Sequence, residues 1–216
     1  MPPAQPRLDP LRLFMHAAAL LPLALLLLAT LTGGLSVNPI QDATQRMGQA
    51  AILLLMASLA CTPVFILTGW RPVNTFRRPL GLYAAFYATT HFILFAGVDY
   101  GFSLELLSRE LAEKRYIIVG LAALIILLAL AVTSFRWWKA RLGKRWKGLH
   151  RLAYLAALLA VFHYGWVAKG DFLAFSGSVL QPWIYGGIVL LLLLLRLPPI
   201  RRVLQRKNKS KEAKVV

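Results

Sequence analysis

The chain has 216 residues, of which 58% are hydrophobic and only 15% are charged. Soluble domains carry about 25% charged residues, and the apolar residues here come in long blocks, so composition excludes an ordinary soluble domain. The single cysteine, Cys61, excludes an internal disulfide and a cysteine metal cluster. We identify no internal repeat in the sequence.

Six apolar blocks follow one another along the chain, each about as long as a helix that crosses a hydrocarbon core of roughly 30 Å. They cover residues 11–31, 48–68, 80–98, 116–135, 149–167 and 179–197. The first block is longer than the apolar core of a signal peptide and has no clear cleavage site, which favours an uncleaved span. We therefore predict an all-α integral membrane protein: one six-helix transmembrane bundle over residues 1–200, followed by a basic cytoplasmic tail at 201–216.

Lysine and arginine are divided unequally between the two sides of this bundle. Of 25 such residues, 19 lie in the N-terminal segment, the second and fourth connections and the C-terminal segment, and five lie on the other side. Cytoplasmic loops accumulate lysine and arginine, so we predict that both termini are cytoplasmic. The net charge of +17 then needs no nucleic-acid partner, and we expect contact with membrane lipid instead.

All four histidines lie within or at the edge of the apolar blocks, where an ionisable group is costly and usually functional. His91 and His163 lie about 16 Å and about 21 Å along two blocks that both run outward from the cytoplasmic face. Two imidazoles that face each other from neighbouring helices suit a six-coordinate haem iron. We predict that His91 and His163 are the axial ligands of an outer haem.

His150 and His16 are the two histidines at similar depth near the cytoplasmic face. We predict that His150 contacts an inner cofactor and that His16 is its candidate partner, either as haem ligands or as contacts to a flavin or quinone. The alternative for His16 is a simple hydrogen bond to a neighbouring helix. Basic residues near this level could meet a haem propionate or a flavin phosphate, although such residues more often only fix topology: Arg77, Arg78, Arg141, Lys144 and Arg145.

Short motifs with a common order and spacing run from the first block to the fifth: Gly33-Gly34-Leu35, Asn38-Pro39, Thr62-Pro63, Arg77 to Leu82, Lys114-Arg115-Tyr116, Thr133-Ser134, Leu142 to Trp146, and Leu149-His150. With a histidine on the third block and a His-x12-His pair on the fifth, the chain resembles the transmembrane domain of ferric reductases and NADPH oxidases. More closely, it resembles the MsrQ (YedZ) family. The wider oxidase pattern has a second histidine near position 77 or 78, where this chain has arginines.

The resemblance implies an electron-transfer subunit of an oxidoreductase complex in the bacterial inner membrane, rather than the catalytic subunit. It implies haem b and suggests FMN as a further cofactor. Electrons would come from the quinone pool or a cytosolic flavin reductase and pass to MsrP, a periplasmic molybdopterin enzyme that reduces methionine sulfoxide in oxidised proteins. The chain has no Gly-rich nucleotide fingerprint, so partners must supply and remove the electrons.

Two other classes of function stay open at the level of the sequence. In the first, the protein has no redox role and its histidines bind Zn²⁺ or carry protons. In the second, it is a structural assembly subunit. A haem absorbance spectrum would favour an electron relay over the first alternative. Redox cycling of the bound haem would favour an electron relay over the second.

Overall fold

The computed structural model describes residues 9–167 and 180–200, together with residues 202 and 204. Within these residues the chain forms helices and no strand. The helices are α1 (Pro10–Thr32), α2 (Pro39–Thr68), α3 (Val73–Ile93) with a π-helical turn (Leu94–Asp99), α4 (Leu104–Glu113), α5 (Tyr116–Val132), α6 (Arg136–Leu142), α7 (Lys144–Leu149), α8 (Leu152–Val167) and α9 (Leu180–Leu194). The start of the predicted sixth span at Val179 and nearly all of the predicted tail at 201–216 lie outside the described residues.

Three of the described helices are long and apolar enough to cross a membrane by length and composition: Pro10–Thr32, Pro39–Thr68 and Val73–Asp99. Helices α4 and α5 pass the same test only as a pair, which is bent by 111°, and α9 is a shorter apolar helix. The all-helical, membrane-type fold is therefore confirmed. The count of six spans and the cytoplasmic position of both termini stay predictions.

Helix ends differ from the ends of the apolar blocks because caps, rather than hydropathy, set them. Helix α2 begins at Pro39, well before the apolar block at 48, because Asn38 caps it: the Asn38 side chain accepts a hydrogen bond from the Gln41 N–H at 3.1 Å. Helix α8 begins at Leu152, after the two short basic helices α6 and α7. The predicted blocks thus locate each long helix but not its termini.

Small residues allow the central helices to approach closely. Helix α2 packs along α3, α5 packs along α8, and α3 contacts α5 between the two pairs. Ala84 and Ala85 on α3 and Ala156 and Ala157 on α8 are all at most 4% exposed. Helices in a membrane associate mainly by close van der Waals packing, for which such small residues are suited.

Arg196 links three helices at the end of α9. Its Nη1 donates a hydrogen bond to the Tyr154 hydroxyl on α8 at 2.8 Å, and its Nη2 donates to the Leu59 carbonyl on α2. The guanidinium also lies 5.0 Å from the centre of the Tyr154 ring, in a cation–π contact. Arg196 therefore fixes where α9 meets α2 and α8.

Tyr87 hydrogen-bonds backbone groups of α1 beside Pro22. Pro22 lies inside α1 and disturbs the helical hydrogen bonds around it, since proline lacks an N–H and its ring clashes with the carbonyl one turn earlier. The Tyr87 hydroxyl inserts at this point: it accepts from the Leu23 N–H at 3.2 Å and donates to the Ala19 carbonyl at 2.8 Å. Tyr87 is fully buried. One side chain of α3 thus satisfies two backbone groups of α1.

We predict that Tyr87→Phe lowers the free energy of unfolding by about 1–3 kcal/mol, because it leaves two backbone groups of α1 unsatisfied inside the bundle. Pro22→Ala restores an N–H to α1, so Tyr87→Phe should cost less in that background. Thermal unfolding in detergent of the four variants of this double-mutant cycle measures the effect. Equal costs in the two backgrounds would show that the hydroxyl does not compensate for the missing N–H of Pro22.

Candidate functional site

The structure brings His91 of α3 and His163 of α8 together. Their ring centres lie 6.1 Å apart, and the two ring planes are inclined by 84°. Both side chains are half-buried, and the Tyr116 ring lies 5.8 Å from His163. The similar depth predicted for these residues from block positions thus corresponds to spatial proximity.

Each of these two imidazoles is held by a backbone carbonyl of a neighbouring helix. His91 Nδ1 lies 2.8 Å from the Thr44 carbonyl oxygen on α2, and His163 Nδ1 lies 2.8 Å from the Tyr116 carbonyl oxygen on α5. A carbonyl can only accept, so both Nδ1 atoms carry the hydrogen and donate it. The neutral ring then has its lone pair on Nε2, which is the atom left to bind a metal.

The separation of the two rings fits one metal ion between them. A metal–imidazole bond is about 2 Å long, and an atom of a five-membered ring with bonds of about 1.33 Å lies about 1.1 Å from the ring centre. Two imidazoles on opposite sides of one metal therefore have centres about 6 Å apart, and the observed distance is 6.1 Å. Both rings thus have the tautomer and the spacing that axial ligation requires.

The two halves of this site repeat one another along the chain. The histidine and its carbonyl partner are 47 residues apart in both halves. Moving 72 positions along the sequence takes Thr44 to Tyr116 and His91 to His163, and it takes the buried pair Ala84-Ala85 to Ala156-Ala157. The expectation that the chain has no internal repeat is therefore wrong: Ala-Ala-x-x-Ala-x-x-His occurs at 84–91 and again at 156–163. The pair α2–α3 and the pair α5–α8 are therefore equivalent units.

His150 lies just before α8 and has different surroundings. Its ring stacks on Trp146 with centres 4.0 Å apart, and its Nε2 lies 3.2 Å from the Thr133 hydroxyl. That hydroxyl already donates to the Ala129 carbonyl at 2.7 Å, so it accepts from Nε2–H. His150 is thus protonated on Nε2, whereas His91 and His163 are protonated on Nδ1. Its Nε2 is therefore not available to bind a metal in this arrangement. In the internal repeat, Arg78 occupies the position that corresponds to His150.

His16 contacts Tyr83 rather than His150. Its Nδ1 lies 3.0 Å from the Tyr83 hydroxyl, and the two rings meet edge to face with centres 5.7 Å apart. Among the contacts of the described residues, none joins His16 to His150. The structure therefore gives His16 and His150 separate partners, and a site shared by them stays a prediction.

The basic side chains proposed for the inner surface are all exposed: Arg77, Arg78, Arg141, Lys144 and Arg145. The Arg77 carbonyl accepts a hydrogen bond from the Ser58 hydroxyl at 2.8 Å, which fixes its backbone against α2. Arg141 lies over the Trp137 ring at 5.2 Å. A role of these residues in cofactor binding stays a prediction.

Thr44, Gly48, Tyr116 and Gly120 are site residues that the sequence reasoning missed. Thr44 and Tyr116 act through backbone carbonyls, and Gly48 and Gly120 act through the absence of a side chain. Their residue types alone therefore do not indicate a functional role. The repeated alanine–histidine motif is the one sequence signal that marks both halves of the site. It identifies α3 and α8, and the carbonyl and glycine of each half lie on the helix packed against them, α2 or α5.

Comparison with known proteins agrees with this architecture. Residues 47–161 match the family described as "Ferric reductase like transmembrane component". The match contains α3 with His91, α5 and most of α8, and it ends two residues before His163. The chain therefore belongs to the ferric reductase-like transmembrane family.

Individual relatives narrow this assignment. The chain is 39% identical over 195 residues to a protein of Herminiimonas arsenicoxydans, with 90% of this chain and 87% of the relative covered. It is 41% identical over 193 residues to a protein of Rhodospirillum rubrum, with 88% and 89% covered. A protein of Deinococcus radiodurans is 47% identical over 154 residues, with 70% and 75% covered. All three relatives are named protein-methionine-sulfoxide reductase heme-binding subunit MsrQ. Within the wider family, the chain belongs to the MsrQ group.

Proposed function

We propose that this chain is the haem-binding membrane subunit of a methionine sulfoxide reductase system, and that His91 and His163 are the axial ligands of one haem b. The observation that carries this proposal is the paired geometry of the two rings: their centres are 6.1 Å apart, and each Nδ1 is held by a backbone carbonyl at 2.8 Å. The relatives carry heme binding in their names.

Haem b, when bound, supplies a one-electron couple between ferric and ferrous iron. The protein would supply two imidazole ligands whose orientation and basicity are set by its own backbone. The carbonyls of Thr44 and Tyr116 fix the orientation of both rings and raise the basicity of the ligating nitrogens. These two hydrogen bonds would hold both rings in one orientation toward a bound haem.

A zinc site is less well supported by the geometry. Structural zinc needs four protein ligands and catalytic zinc needs three. Within the described residues, no group of three or more His, Cys, Asp or Glu side chains is placed to hold a metal. A haem needs only the two axial ligands from the protein, because the porphyrin supplies the other four. The pair of histidines therefore suits haem better than zinc.

The electron route that we propose crosses the bundle from the cytoplasmic side to the periplasmic side. Electrons enter from the quinone pool or a cytosolic flavin reductase, pass the outer haem and leave to the periplasmic molybdopterin subunit MsrP. FMN is a candidate cofactor on the inner side, where Arg77, Arg78 and the exposed basic residues of α6 and α7 could bind a propionate or phosphate. In this scheme the chain relays electrons and does not itself reduce methionine sulfoxide.

We also propose six membrane spans with both termini in the cytoplasm of a bacterium, across its inner membrane. Each of the six apolar blocks coincides largely with a described helix, although several helices are shorter or longer than the block. The distribution of lysine and arginine supports the orientation. With this topology the His91–His163 pair lies in the outer half of the bundle and His150 lies near the inner surface.

Replacement of either outer histidine tests the haem assignment. We predict that His91→Ala and His163→Ala each lose the haem or convert it from low-spin to high-spin, because one axial bond is removed. The haem-to-protein ratio and the absorbance spectrum of purified protein, before and after dithionite reduction, measure this. Thr90→Ala is the matched control, since Thr90 is the neighbour of His91 and its hydroxyl bonds only the Phe86 carbonyl of its own helix. Unchanged low-spin spectra at full haem content in both histidine variants would contradict the proposal.

The inner site requires a separate test. We predict that His16→Ala and His150→Ala damage the same inner cofactor and that the double variant adds little further loss, as expected for two residues at one site. Haem content, flavin content and reduction by a quinol are measured for each variant. Normal cofactor content and quinol reduction in His16→Ala would show that His16 serves only its contact with Tyr83, which would leave His150 with a different partner.

A further inference from the structure

We propose that Gly48 and Gly120 are positioning residues that set the orientation of the two axial imidazoles. This inference rests on the proposed function, because it concerns the haem between His91 and His163. It assigns a role to two residues that contact neither haem nor substrate in the proposal above, and it explains why both halves of the site repeat the same spacing.

The two glycines occupy the same place in the two halves. Gly48 lies four residues after Thr44 on α2, and Gly120 lies four residues after Tyr116 on α5. In an α-helix, residues four apart lie on the same face, and every Cα–Cβ bond tilts toward the N-terminus. A side chain at position 48 or 120 would therefore cover the carbonyl that holds the histidine. Glycine at these positions leaves that carbonyl accessible from the side.

The histidine rings occupy the space that a side chain would need. A Cβ added at Gly48 would lie 3.0 Å from His91 Nδ1 and 3.2 Å from its Cε1. A Cβ added at Gly120 would lie 2.7 Å from both Nδ1 and Cε1 of His163. Since carbon contacts are normally about 3.5–4.0 Å, alanine at either position would displace the ring, and the displacement should be larger at 120.

Displacement of a ring has two consequences for the site. Rotation of the imidazole moves Nδ1 away from its carbonyl and weakens the bond that fixes the ring. It also changes the angle between the two ring planes, which is 84° here. Nearly perpendicular axial imidazoles leave two iron d orbitals close in energy, which gives a strongly anisotropic low-spin EPR signal. The EPR spectrum of the oxidised protein therefore reports ring orientation directly.

Other glycines of the same bundle provide matched controls. Gly81 also lies at the α2–α3 interface, but a Cβ there would meet only the Ser58 hydroxyl, at 3.4 Å. At Gly187 on α9, no atom of the described residues outside the backbone of its own helix lies within 4 Å of such a Cβ. If the role of Gly48 and Gly120 were helix packing alone, Gly81→Ala would resemble Gly48→Ala in its effects.

The experiment compares EPR spectra, haem content and midpoint potential of purified Gly48→Ala, Gly120→Ala, Gly81→Ala and Gly187→Ala. We expect the low-spin signal of the wild type to be strongly anisotropic. It should shift toward a more rhombic signal in Gly48→Ala and shift further, or be lost with the haem, in Gly120→Ala. The midpoint potential should shift with it, because the hydrogen bond to the ligand changes. Both control variants should match the wild type.

Three results would overturn the inference: wild-type spectra in Gly48→Ala and Gly120→Ala, a partial loss of haem with an unchanged signal from the remainder, or an equal shift in Gly81→Ala. Gly48→Ala keeps the test decisive if Gly120→Ala fails to fold, because its overlap is smaller. Failure of the proposed function is distinguishable from all of these, since wild-type protein would then show no low-spin haem signal at all.

Discussion

A neutral imidazole inside an apolar bundle has one N–H that must find an acceptor, because an unsatisfied polar group costs free energy where water is absent. In this protein the acceptors for His91 and His163 are the carbonyls of Thr44 and Tyr116. These bonds decide which nitrogen is protonated and thus leave Nε2 of both rings available to bind a metal. The close packing of α2 on α3 and of α5 on α8 brings donor and acceptor within reach. Ligation geometry therefore depends on helix packing.

The repeated unit explains how one bundle produces two histidines with matching surroundings. Each unit has a carbonyl, a glycine four residues later, a buried alanine pair and a histidine, and the second unit follows the first at 72 positions. The same physical requirements produce the same residues twice: small residues for close helix approach and a free carbonyl for the ring. At the inner end the repetition fails, since Arg78 corresponds to His150. The surroundings of His91 and His163 are thus symmetric, whereas His150 has no histidine counterpart in the repeat and is held by Thr133 and Trp146.

Much of the architecture is predictable from the sequence, because long apolar blocks have few alternatives to transmembrane helices. The pairing of His91 with His163 follows from their position along two parallel blocks. Three local contacts are not predictable in this way: the cap at Asn38, the insertion of Tyr87 beside Pro22 and the contact of His16 with Tyr83. They depend on the relative rotation of helices, which hydropathy does not encode. Glycine and backbone carbonyls likewise carry no functional signal until their neighbours in space are known.

We propose that one haem lies between α3 and α8 and is held by Nε2 of His91 and Nε2 of His163. An experimental density map of the purified, haem-loaded protein would test this proposal. We expect a porphyrin at this level, both Nε2 atoms bonded to its iron, and both Nδ1 atoms still within hydrogen-bond distance of the Thr44 and Tyr116 carbonyls. A porphyrin held by other side chains, or iron bonded through either Nδ1, would contradict it.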